Sequence, residues 1–88
     1  MNNKIIFKYQ LNIQDFQVIY LPSDFKILKL DIQDGNPCLW CEVDNSSDMV
    51  NLNIHMRPTG FSFTGIEHNY IGTIGELYVW HFYWENLK

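Results

Sequence analysis

The stretch FKILKLDIQDGNPCLWCEVD, residues 25–44, decides how this chain is read. In its first half Leu28, Leu30 and Ile32 alternate with Lys29, Asp31 and Gln33. A helix would need apolar residues every three to four positions, whereas strict alternation fits a strand with one dry and one wet face. Asp34-Gly35-Asn36 then interrupts the run with residues that accept the positive φ of the tight primed turns. Pro37 opens the next arm, where its missing N–H does least harm, and a strand over 37–44 follows. A β-hairpin is predicted.

The second arm holds both cysteines of the chain, Cys38 and Cys41, spaced C-x-x-C. Zinc knuckles and thioredoxin-like motifs set such a pair on a turn or helix start, so that the sulfurs converge. On an extended strand, positions i and i+3 face opposite ways. Cys41 then shares a face with Leu39 and Val43, and Cys38 shares one with Trp40 and Glu42. Free thiols are expected, with no metal and no cofactor.

Working outward, the same alternation recurs. Residues 4–12 set Ile5, Phe7, Tyr9 and Leu11 against Lys8 and Gln10, and 16–21 form a short β-prone run ending at Pro22 and Ser23. Residues 49–57 place Val50, Leu52, Ile54 and Met56 inside, with Asn51, Asn53, His55 and Arg57 outside. Near the end, YIGTI (70–74) and LYVWHFYW (77–84) are joined at Gly75-Glu76, which reads as a II′-type hairpin. No amphipathic helix and no repeat is found. The expected fold class is all-β, a small antiparallel sandwich or partly open barrel of six to seven strands, forming one domain over 1–88.

Composition agrees. A domain of 88 residues buries only about 60–65% of its unfolded surface, so large side chains must be used efficiently. Six Phe, five Tyr and three Trp supply them. Six basic and ten acidic residues give a net charge of −4, and the basic ones are scattered, which argues against nucleic acid as a partner. No apolar run approaches the length of about 20 that spans a bilayer, and MNNKIIFKYQ lacks an apolar signal core. No membrane partner is expected, and a reducing cytoplasm is the expected location.

With the strands laid out, the chain resembles a family of small tailed-phage proteins. The carrying segments are IIFKYQL (5–11), GNPCLWCEVD (35–44), PTG (58–60), YIGTI (70–74) and VWHFYWE (79–85). The family pattern runs I-x-K-Y-x-L, G-x-P-C-L-W-x-x-V-D, T-G-H, Y-I-G-T and V-F-H. The resemblance implies a phage origin, a compact β domain and the cytoplasm of a host cell, but no activity. Two positions depart from it. Phe61 stands where the family places histidine, and Cys41 where it calls for no cysteine.

Candidate ligand-binding residues are Asn53, His55, Arg57, Thr59, Gly60, Ser62, Trp80 and Trp84. The first three form a polar strip leading into Pro58-Thr59-Gly60. There backbone amides, the Thr59 and Ser62 hydroxyls and the Arg57 guanidinium could hold a phosphate or carboxylate. The alternative is an ordinary solvated face ending in a turn. In the last strand, Leu77, Val79, His81 and Tyr83 oppose Tyr78, Trp80, Phe82 and Trp84. A strand apolar on both faces is either central or packed against another chain, so a homo-oligomer is expected. The aromatic face offers stacking for a nucleobase.

An enzyme would need a base or metal beside Arg57, where the sequence offers only His55, Glu67 and His68. The expected function is therefore non-enzymatic: a phage-type binding protein, including a counter-defence factor that inhibits a host protein or sequesters a nucleotide-like signal. The alternative is a structural accessory of the virion or its assembly.

Overall fold

Seven strands arise in the described residues, 3–60 and 69–86, of the computed structural model. They are β1 (Lys4–Gln10), β2 (Phe16–Pro22), β3 (Phe25–Gln33), β4 (Asn36–Asp44), β5 (Met49–Pro58), β6 (Asn69–Gly75) and β7 (Val79–Asn86). A three-stranded sheet has the order β1-β4-β3, and a four-stranded sheet the order β2-β5-β7-β6, every pair antiparallel. The architecture is an open sandwich, with neither sheet closing into a barrel.

The β3–β4 hairpin has the two-residue turn that its sequence favours. Asp34 (φ 53°) and Gly35 (φ 80°) both take positive φ, and Gln33 pairs with Asn36. Asn36 thus belongs to the strand. The alternation of β3 is broken where the register shifts between Ile27 and Lys29. Leu28 is the extra residue of this bulge, which leaves Phe25, Ile27 and Leu30 packed against the core and Leu28 exposed. Leu28 therefore does not share the core face with Leu30, as uninterrupted alternation would have it.

The core lies between the sheets. Leu39, Cys41 and Val43 of β4 meet Leu52, Ile54 and Met56 of β5 and Phe82 of β7, with Leu11, Leu21 and Ile74 closing the ends. Across the gap, the Phe25 ring meets Trp84 edge-on, with centroids 5.1 Å apart. The chain crosses from one sheet to the other at 11–15. Buried Gln17 fixes that bend by accepting from the Asn12 N–H at 3.0 Å and donating to the Asn12 carbonyl at 2.8 Å. At the β4–β5 turn the Asp44 carboxylate accepts from the Ser46 hydroxyl and N–H, which holds its pKa below the usual carboxylate value.

The C-x-x-C resolves as strand geometry. Cys41 is in the core, and Cys38 lies on the opposite face of β4; both are free and buried. Lys8 on β1 faces Trp40, and Gln33 on β3 faces Asn36. Their side-chain hydrogen bond therefore crosses β4 over Cys38, which accounts for burial on an outer face. Burial pushes the Cys41 thiol up to about 11. At pH 8 its thiolate fraction is then about two orders of magnitude below that of a free thiol of pKa about 8.5. Native protein treated with iodoacetamide at pH 8 is expected to stay unlabelled at both cysteines and to label at both once unfolded, as read by intact mass.

No helix among the described residues is long and apolar enough to cross a membrane.

Candidate functional site

The outer face of the four-stranded sheet carries the polar strip. Because β5 and β7 are paired, Asn53 stands opposite Glu85, His55 opposite Tyr83, and Arg57 opposite His81. On the other side of β5, Phe16 faces His55 and Val18 faces Asn53. One surface thus collects residues from strands far apart in the chain.

At its centre His55 Nε2 lies 2.9 Å from the Glu85 carboxylate, a diagonal cross-strand pair. The Phe16 ring packs on the imidazole with centroids 5.3 Å apart. Large neighbours cover the strip, so His55 and Asn53 are each only 8% exposed although they point away from the sandwich core. His55 is therefore a covered residue and not the open surface histidine that its outward position suggests. Asn53 Oδ1 is buried and accepts no hydrogen bond from the described residues. An orphaned acceptor of this kind costs about 1–3 kcal/mol, which a donor supplied from outside would recover. Arg57 Nη1 donates to the Met56 carbonyl at 2.9 Å and to the Asp15 carbonyl at 3.3 Å, tying β5 to the 12–15 bend.

Toward β6 a second hydrogen-bonded chain crosses the sheet. Tyr70 Oη meets Thr73 Oγ1, which lies 2.9 Å from His81 Nδ1, and His81 Nε2 lies 2.8 Å from Thr59 Oγ1. Thr59 also reaches the Val79 carbonyl at 3.4 Å. That carbonyl can only accept, so the Thr59 hydroxyl donates to it and accepts from His81 Nε2–H. Nδ1 then accepts from Thr73, which accepts from Tyr70. The tautomer with its proton on Nε2 satisfies every member. Both ring nitrogens are engaged.

The tryptophans lie elsewhere. Trp80 and Trp84 share the inward face of β7 with Phe82 and pack on the core. They are on the opposite side of the sheet from Asn53, His55 and Arg57. The hairpin before them also differs from expectation: β7 begins at Val79, and Leu77 and Tyr78 lie in the turn, 87% and 68% exposed. The two-sided apolar strand is thus shorter than its sequence implies, and its central place in the sheet accounts for its inner aromatics.

Thr59 and Trp80 do come together, in a pocket of about 310 Å³ lined by Pro58, Thr59, Leu77, Tyr78, Val79 and Trp80. Arg57 is not among its lining residues. Gly60 (φ 90°) forms the turn after β5, and Ser62, Glu67 and His68 lie outside the described residues. Sequence reasoning passed over Glu85, Tyr83, Thr73 and Tyr70. The signal for the first two was available in the even spacing of His81, Tyr83 and Glu85, but the β5–β7 pairing that makes it meaningful was not. Among the described residues no group of three His, Cys, Asp or Glu side chains is placed to hold a metal ion.

No curated protein and no solved structure gives a significant match to the chain. Residues 2–88 match the model of a domain of unknown function, DUF7352, and the chain belongs to that family.

Proposed function

We propose that this chain is a non-enzymatic binding protein whose outer β2-β5-β7-β6 face recognises the surface of another protein. The observation that carries the reading is the make-up of that face. Phe16, Val18, Tyr20 and Tyr70 are exposed around a hydrogen-bonded polar centre that includes the orphaned Asn53 acceptor. A sheet face meant only for solvent would alternate toward charged and small polar groups. Rigid aromatics around desolvated polar groups are instead the make-up of protein-recognition surfaces.

A protein partner is favoured over a nucleotide signal by the position of Arg57. Its hydrogen bonds to the Asp15 and Met56 carbonyls tie it into the sheet, away from the Thr59–Trp80 pocket where a base would stack. The likeness to tailed-phage proteins extends this reading to a counter-defence factor acting on a host protein. The second reading, a virion or assembly accessory, uses the same face.

The test is complementation. A phage lacking this chain is plated on hosts that supply either the wild type or the Tyr70→Ala/Tyr83→Ala double variant. The proposal expects restored plating only from the wild type, with both proteins folded by circular dichroism. Equal restoration would sink it. Abundant recovery of the chain in purified particles by mass spectrometry would move the assignment to the virion reading.

A further inference from the structure

The four sheet edges formed by the described strands are not equally guarded. An edge strand offers unpaired N–H and C=O groups to any other strand, and proteins blunt that with charges, bulges or cover. The β1 edge carries Lys4 and Lys8, and β3 carries Lys26, Lys29, Asp31 and the Leu28 bulge. The β6 edge has a register shift between Tyr70 and Gly72 and packs on β3, where Leu30 would press 3.2 Å from a Cβ at Gly72. β2, FQVIYLP, has no charged residue and no register shift. Its Phe16, Val18 and Tyr20 are 48%, 46% and 61% exposed.

The direction of its backbone groups follows from two hydrogen bonds. Met56 N–H donates to Asp15 O at 2.9 Å, and Ser23 N–H to Asp48 O at 2.7 Å, which extends the β2–β5 ladder at both ends. Hydrogen-bonded pairs in an antiparallel ladder fall on every second residue. The odd-numbered residues of β2 therefore bond to β5, and Phe16, Val18 and Tyr20 turn their N–H and C=O groups to the open edge. The Phe16 carbonyl meanwhile takes the Gln14 side-chain amide at 3.1 Å.

We propose that β2 pairs antiparallel with β2 of a second copy, across a twofold axis at Val18, joining the two four-stranded sheets into one. In this register Val18 faces the partner's Val18, and Phe16 faces the partner's Tyr20. All the outward backbone groups from 16 to 20 are matched, and an aromatic pair flanks the axis on each side, the kind of cross-strand contact that stabilises antiparallel sheets. The partner is a second copy because the surface is self-complementary under that axis. A chain of net charge −4 also meets its copy here without bringing a like charge to the contact. The joined sheets present two copies of the outer face side by side.

The test uses the full chain. Light scattering is expected to give twice the 10.5 kDa of one chain for the wild type, and a single chain for Val18→Lys, which sets like charges against each other at the axis. Val18 is half exposed, so the variant should keep the wild-type circular dichroism. A short bismaleimide should link Val18→Cys into a covalent dimer and leave Ile6→Cys, on the exposed face of β1, unlinked. A single-chain mass for the wild type up to about 1 mM, a dimer undiminished in Val18→Lys, or equal linking of both cysteine variants would overturn the proposal.

Discussion

Phe82→Ala is expected to lower the melting temperature by more than about 15 °C, or to leave the chain largely unfolded. Phe82 is fully buried on β7, the strand between β5 and β6, and faces Met56 across the ladder. Truncating a buried Phe typically costs about 3–5 kcal/mol, part lost transfer energy and part the cavity left behind. A domain of this length holds only about 4–13 kcal/mol in total. The loss is thus a large share of what keeps the sheets together. Urea or thermal melts followed by tryptophan fluorescence at one fixed concentration would check it, and a shift under about 5 °C would mean that β7 does not sit at the centre of the core.

Gly75→Ala is expected to be the most damaging change at any turn. Gly75 ends β6 at φ 117°, and a Cβ there would lie 1.9 Å from the Tyr78 carbonyl oxygen. Backbone strain for a non-glycine residue in such a region costs about 1–3 kcal/mol. The overlap is with backbone, which cannot rotate aside, so the turn at 76–78 must be rebuilt. Gly60 supplies the control, because it has φ 90° with none of the described residues within 4 Å of its missing Cβ. Gly60→Ala should show the strain alone, about 1–2 kcal/mol, and Gly75→Ala clearly more. Equal losses in denaturant melts would show that the Gly75 contact yields easily. Since Gly75 shapes the turn that exposes Leu77 and Tyr78, the same change should also distort the pocket beside Trp80.

How much of this was legible in the sequence follows from how local each feature is. The strands around residues 25–44 were readable because alternation and an Asp-Gly turn are properties of adjacent residues. Leu28 was misplaced because a bulge depends on the partner strand, and nothing in KILKL marks which residue goes unpaired. The final hairpin has a loop one residue longer than its sequence suggests. Gly75 suggested a two-residue loop, whereas the chain needs 76–78 to bring Val79 opposite Gly75.

The candidate site shows the same division. Asn53, His55 and Arg57 were visible as a strip because they alternate along one strand. Their neighbours come from β2 and β7, and that order is fixed by contacts between residues 22 to 39 positions apart. Trp80 and Trp84 looked available because alternation separates the two faces of a strand without saying which faces the core. The burial of His55 and Asn53 was likewise invisible until Phe16 and Tyr83 were placed beside them.

The central claim is that the outer face of the four-stranded sheet is the working surface of this protein. Site-specific photo-cross-linking in cells that express the chain tests it most directly, with the photoreactive residue placed either at Tyr70 on that face or at Lys26 on the outer face of the other sheet. The account predicts one dominant cross-linked species from Tyr70, competed away by excess unlabelled wild-type chain, and only a weak scatter from Lys26. Equal patterns from the two positions, or a dominant species from Lys26 alone, would contradict it.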